Sequence, residues 1–187
     1  MKRSSSKKIV VSVLVLTSLC MALLISGCAA RARCMEPEDL DIVFDVADSN
    51  SYAVSINESS GGIAPKPLWS SQISNTEFTV ALTNSLKKSG VFQTVTTGDG
   101  ADYILDVAIL DYDQPWNGSN MTVRMETEWV LTDAKTGDIV WSNTFPTAYK
   151  AIWISSLTDT GRIQKAQEGA ARNNIKEGIR RLSILEL

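Results

Sequence analysis

Residues 120–132, "NMTVRMETEWVLT", alternate with a period of two. Met121, Val123, Met125, Trp129 and Leu131 occupy one set of positions, and Thr122, Arg124, Glu126 and Glu128 the other. Successive side chains of a strand point to opposite faces, so this pattern describes a β-strand with one covered face and one wet face. Such a strand needs neighbours and a second layer over its apolar side. Three further segments, 91–96, 101–112 and 138–145, have strand composition. Gly98-Asp99-Gly100, Pro115 to Ser119 and Lys135-Thr136-Gly137 separate them as turns. Short connections between consecutive strands predict an antiparallel meander.

The covering layer is also legible. Ser74 and Glu77 form a capping-box pair ahead of Phe78, Ala81, Leu82, Ser85, Leu86 and Ser89, which share one helical stripe. Gly90 and Val91 supply the left-handed terminus and its trailing apolar contact. A last helix from about Asp159 to Leu185 aligns Ile163, Ala166, Ala170, Ala171, Ile175, Ile179 and Leu182. Residues 39–46, "DLDIVFDV", alternate as a half-buried first strand, and residues 47–70 are rich in Ser, Asn, Gly and Pro, as in a long loop. The expected order is β-α-β-β-β-β-α. This is an α+β fold in two layers, a mainly antiparallel sheet with two helices on one face. The first strand reaches the meander through a helix, so it is expected to pair parallel with one of its strands.

The amino terminus belongs to a different category. Lys2, Arg3, Lys7 and Lys8 precede an apolar run from Ile9 to Ile25, then Ser26 and Gly27, the order of a secretory signal. The run falls just short of the ~18–20 residues that span a bilayer. Ile25-Ser26-Gly27-Cys28 resembles the bacterial lipobox. That resemblance implies cleavage before Cys28 and acylation of its sulfur and new amino group. Two or three acyl chains anchor a protein stably where one does not. Residues 1–27 are thus expected to be a signal peptide, 28–38 a lipidated tether and 39–187 a single periplasmic domain. Ala29 stands where aspartate is the inner-membrane retention signal of enteric lipoproteins, which implies the outer membrane, with the inner membrane as the alternative. Cys34 reads as a leftover thiol rather than half of a redox pair, because Cys28 is committed to the anchor.

Charge and composition remove several functional classes. The chain has 18 Lys and Arg against 21 Asp and Glu, and four of the bases lie in the signal segment, so the remainder is distinctly acidic. An acidic domain is a poor partner for nucleic acid. The chain has no histidine, hence neither the commonest general base nor the commonest metal ligand, and no cofactor or metal is expected. Asp106, Glu126 and Glu128 are expected to share the wet face as a candidate carboxylate pair, but Arg124 sits among them. A solvated, charge-balanced face is the better reading, and the protein is expected not to be an enzyme.

Three segments, 67–86, 121–137 and 161–182, carry a Pro-Leu-Trp helix start, a Met-Thr-Val strand and an Ala-x-Glu-Gly-Ala-x-x-x-Asn-Ile final helix. Together, over roughly residues 66–182, they resemble a family of uncharacterised proteobacterial lipoproteins. More loosely, the element order resembles the auxiliary lipoproteins of lipid-exporting ABC transporters and the lipopolysaccharide-assembly lipoprotein. The resemblance implies an accessory or adaptor subunit of an envelope assembly or lipid-transport system, attached to the membrane by acyl chains and working with an envelope protein. A direct lipid- or peptidoglycan-binding module is the alternative. Candidate contacts come from the chain's five tryptophans. Trp129 and Trp141 are expected as a cross-strand core pair, and Trp69 as a staple at the start of the first helix. Trp116, at a hairpin tip, and Trp153, beside Tyr149, are the candidate partner or ligand contacts.

Overall fold

The computed structural model describes residues 30–40, 51–62, 72–115 and 118–187. Its elements are α1 (Ala32–Met35), β1 (Ala53–Ile56), α2 (Asn75–Ser89), β2 (Thr94–Thr96), β3 (Tyr103–Asp113), β4 (Met121–Asp133), β5 (Ile139–Ala151), a 3₁₀ turn (Trp153–Ser155) and α3 (Asp159–Leu182). From β1 onward this is the expected β-α-β-β-β-β-α order, a five-stranded sheet with helices packed on one face. The strand read at 39–46 falls largely outside the described residues. A strand lies instead at 53–56, inside the segment read as loop. Only four residues long, it has too few alternating positions to stand out, and burial against helix and sheet decides its state.

The sheet order is β2-β1-β3-β4-β5. β1 lies between β2 and β3 and runs parallel to both, with Val54 opposite Val95 on one side and Tyr103 on the other. The expected four-strand meander is therefore a three-strand one, β3-β4-β5, and β2 stands outside it. β2 has only three residues, so the short 97–102 connection carries the chain past β1 into β3. Beyond β1 the chain continues alongside β3. Asn57 N–H donates to Leu105 O, Ser60 N–H to Val107 O, and Ile109 N–H to Ser60 O. Gly61 lies so close that a Cβ would sit 1.9 Å from Ile109 O, and its φ of 76° independently requires glycine.

β4 follows its sequence pattern. Every odd position from Met121 to Leu131 is buried, and its wet-face neighbours are half-buried or exposed. β5 runs past the expected end at 145 through Pro146 to Ala151. Proline lacks the N–H that an inner strand must donate, and β5 tolerates it because it is an edge strand. In the hairpin between them, Asp133 Oδ1 accepts from Lys135 and Thr136 N–H, and Gly137 takes φ 78°. The core register corrects one expectation. Trp129 faces Asn143 and Trp141 faces Leu131, so the two indoles are not a cross-strand pair. A register shift between Leu131 and Thr132 displaces the symmetry that the turn alone suggests. The aromatic neighbour of Trp129 is Phe145, with centroids 6.0 Å apart.

α2 starts on Ser74, whose Oγ accepts from Glu77 N–H at 3.2 Å, and ends on Gly90 at φ 69°. Only half of the capping box forms, because the Glu77 carboxylate turns outward to Ala32 N–H at 2.7 Å. α3 lays Ala166, Ala170, Ala171, Ile175, Ile179 and Leu182 on the sheet. Its far end is tied down by Glu177, which accepts from Arg180 and Arg181, and by Arg181, which also donates to Asn143 and lies 4.3 Å over the Phe145 ring. The hydrogen bond from Arg180, joined by that from Arg181, brings the Glu177 carboxyl from about 4.5 down to about 2 despite its partial burial. A depressed carboxyl contributes stability that is full above its unfolded value and is lost as pH falls through the folded one. We expect Glu177→Gln to flatten the stability loss between about pH 4.5 and 2 in acid titrations followed by circular dichroism. A variant as acid-sensitive as the parent below pH 4.5 would count against this role for Glu177.

Candidate functional site

The segment expected as a tether is packed onto the helices from Ala30 onward. Ala30, Ala32, Met35 and Leu40 are all buried, with Met35 at 0% exposure. Two carboxylates hold its backbone: Glu77 on α2 accepts from Ala32 N–H, and Glu168 on α3 accepts from Arg31 N–H at 3.3 Å. Arg172 donates to Cys34 O, and Asn84 and Lys88 both bond Glu36. Partial burial raises the Glu36 carboxyl, but these bonds outweigh it and leave it below the ordinary value. The segment is thus a strap across both helices. Its sequence signal is slight, since Ala30, Ala32 and Met35 make no recognisable period. Cys28 lies outside the described residues, two positions before the strap is first buried.

The second feature lies at the end of β5. Ile152, Trp153, Ile154 and Leu157 are all exposed, Trp153 at 64% and Leu157 fully. Their backbone is nonetheless well held. Trp153 N–H donates to Asn120 Oδ1 at 3.2 Å, Arg162 to Ser156 O at 2.8 Å, and Lys165 to Ser155 O. Tyr149, expected beside Trp153 as a contact, is 38% exposed. Its ring lies over Gly169, where a Cβ would sit 2.3 Å away. Trp116 and Trp69 lie outside the described residues.

Asp106, Glu126 and Glu128 share the wet sheet face as expected, but Asp106 lies directly opposite neither glutamate. Asp106 lies opposite Val130 and accepts from Asn57, Ala108 lies opposite Glu128, and Asp111 opposite Glu126. Arg124 pairs at 3.7 Å with Asp113 rather than with Asp106. The cause is a β-bulge at Leu110, invisible in the alternation, which turns Tyr112 toward the interior and Asp111 and Asp113 outward. The face is acidic, with Leu110 exposed at its bulge. Near this bulge a small cleft lined by Gly61, Gly62, Gln72, Ile73, Ile109 and Tyr112 has room for about one water, far too little for an acyl chain. Among the described residues no group of three His, Cys, Asp or Glu side chains is placed to hold a metal ion, and no helix is long and apolar enough to cross a membrane.

Comparison with known proteins adds to this geometry. The fold is similar to that of a Xanthomonas campestris protein of the DUF330 family (TM-score 0.56, 19% identity, 70% of this chain and 83% of that one). It is also similar to a hypothetical protein from Chlamydia trachomatis (0.53, 8% identity, 71% and 96%) and to the PelC dodecamer from Paraburkholderia phytofirmans (0.51, 15% identity, 74% and 91%). No curated protein matches the chain in sequence. The model of the LptE family, described as lipopolysaccharide-assembly, matches residues 70–183, close to the span 66–182 over which the sequence resemblance runs. Of the resemblances read from the sequence, the looser one to the lipopolysaccharide-assembly lipoprotein is the one this match supports. With well over half of its length matched, from the approach to α2 through the whole meander to the end of α3, this chain belongs to the LptE lipopolysaccharide-assembly family.

Proposed function

We propose that this protein is a non-catalytic accessory subunit of lipopolysaccharide assembly, mounted on the periplasmic side of the outer membrane by acyl chains on Cys28 and engaging an envelope protein partner. Family membership supports an accessory lipoprotein of the cell envelope. The observation that carries the mechanism is the strap. Because Ala30 is already buried, a lipidated Cys28 is joined to the folded domain through Ala29 alone. The domain then sits directly against the bilayer instead of swinging on a leash. Confinement to that surface raises its effective concentration for a partner in the same membrane. The acidic sheet face, with Leu110 exposed at its bulge, is the surface we assign to the partner, and Trp116, the contact expected from the sequence, falls between β3 and β4 in the chain. Acidic side chains there disfavour direct capture of phosphate-bearing lipid.

The test is a photoreactive residue at Leu110, and separately at Trp116, in the full-length acylated protein in cells. We expect one dominant outer-membrane assembly protein to be captured from both positions. Capture of a lipid or a peptidoglycan fragment without protein would replace this reading with a direct binding module.

A further inference from the structure

We propose that the exposed segment 152–157 is a second membrane contact, seated in the headgroup layer of the bilayer that holds Cys28. The inference rests on the reading of Cys28 as the acylated residue. Four of the six residues in "IWISSL" are large and apolar, and all four are exposed. The segment is not a frayed loop. Ser155 N–H closes a 3₁₀ turn on Ile152 O, and Asn120, Arg162 and Lys165 satisfy the backbone groups around it. The polar backbone is thus held by side chains of the domain, while the apolar side chains are directed away from it. Exposed apolar patches of this kind mark contact with a protein or a membrane.

Position decides between the two. Lys165 holds the segment and Glu168 holds the strap, and these residues are one turn apart on α3, about 4.5 Å of helix rise. Both attachments therefore flank the same amino-terminal half of α3. From Ala30 back to Cys28 the chain can extend at most about 7 Å. A bilayer holding the acyl chains at Cys28 thus lies beside the 152–157 segment, with no linker long enough to admit a protein between them. The residue types fit that layer. An indole has an apolar body and one N–H, which suits the boundary between headgroups and acyl chains, where tryptophan concentrates.

Charge favours the same orientation. Arg31, Arg33 and Lys165 are exposed around the two features. Of the acids nearby, Asp159 pairs with Arg162 and Glu36 with Lys88, Glu168 is buried and accepts from Arg31 N–H and Gln164, and Glu38 and Asp39 are exposed at the strap's far end. The wet sheet face carries Asp106, Asp111, Asp113, Glu126 and Glu128 against Arg124 and Lys150. Anionic headgroups attract the first surface and repel the second.

Full-length acylated protein would be reconstituted in vesicles of phosphatidylethanolamine and phosphatidylglycerol, with brominated or ordinary acyl chains. Tryptophan emission would be compared for the parent and Trp153→Phe, a change at an exposed site that leaves the fold intact. We expect bromolipid quenching in the parent to fall by at least about half in the variant, as the amphipathic ring at the headgroup boundary is removed. Equal quenching in both proteins, while both float with the vesicles, would overturn the inference, leave the anchor reading standing and return Trp153 to a protein partner. A parent that does not float with vesicles would overturn the anchor reading and this inference together.

Discussion

Truncating Trp129 to alanine is expected to remove about 3–5 kcal/mol of stability, a large share of the roughly 5–15 kcal/mol that a native domain possesses. The indole is fully buried against Phe145 and α3. Its Nε1 donates to Thr127 Oγ1 at 3.1 Å and Asn174 Oδ1 at 3.3 Å, and Thr127 in turn donates to Asn174 at 2.9 Å. This polar trio lies in the core between β4 and α3 and is satisfied only while all three members are present. The helix comes close enough because residue 178 is glycine, where a Cβ would sit 2.3 Å from the Trp129 ring. Gly178→Ala alone is therefore expected to cost about 1–3 kcal/mol through overpacking. In the Trp129→Ala background the clash is gone, and the same change should be neutral or stabilising by up to ~1 kcal/mol, the helix advantage of alanine over glycine. Urea denaturation of the parent, both single variants and the double variant measures the coupling. Additive costs would mean that Gly178 does not set the approach of helix to sheet.

The second large effect concerns the strap. Met35→Asp places a carboxylate in a fully buried apolar site, with several kcal/mol of desolvation to overcome. The strap can escape that cost by leaving the helices, which the strands and helices of the frame cannot. We expect residues 30–40 to become protease-sensitive while the fragment from β1 through α3 persists, though less stable for the loss of buried Ala30, Ala32, Met35 and Leu40. In vesicles the variant should still float through Cys28 but lose quenching of Trp153, because a freed strap lets the domain turn away. Retained resistance of residues 30–40 to protease would show that the strap is held by its backbone bonds to Glu77 and Glu168 rather than by Met35.

Local signals were read correctly where the residues that make an element lie within it. Ser74 and Gly90 bound α2, the odd positions of β4 point inward, and the alanine-rich stripe of α3 is its buried face. Reading failed where a partner distant in sequence decides the outcome. Glu77 completes a capping box in isolation, yet Ala32, 45 residues away, takes its carboxylate. The Leu110 bulge and the shift at Leu131 each reassign which residues share a face, and neither leaves a mark in a period of two. Asn174, no part of the apolar stripe expected for the last helix, is a buried partner of Trp129.

By itself the sequence determined the α+β class, the two main helices, the strands of the meander and the lack of any histidine-based chemistry, and it alone carries the expectation of acylation at Cys28. These follow from periodicity, capping and composition, which act within a few residues and survive without tertiary contacts. Only the tertiary structure decided that β1 lies between β2 and β3, that the supposed tether is a strap on two helices, and that "IWISSL" projects beside the strap's origin. Each of these depends on what packs against what. Burial and long-range hydrogen bonding, rather than local preference, select among conformations that the chain's own spacing leaves equal.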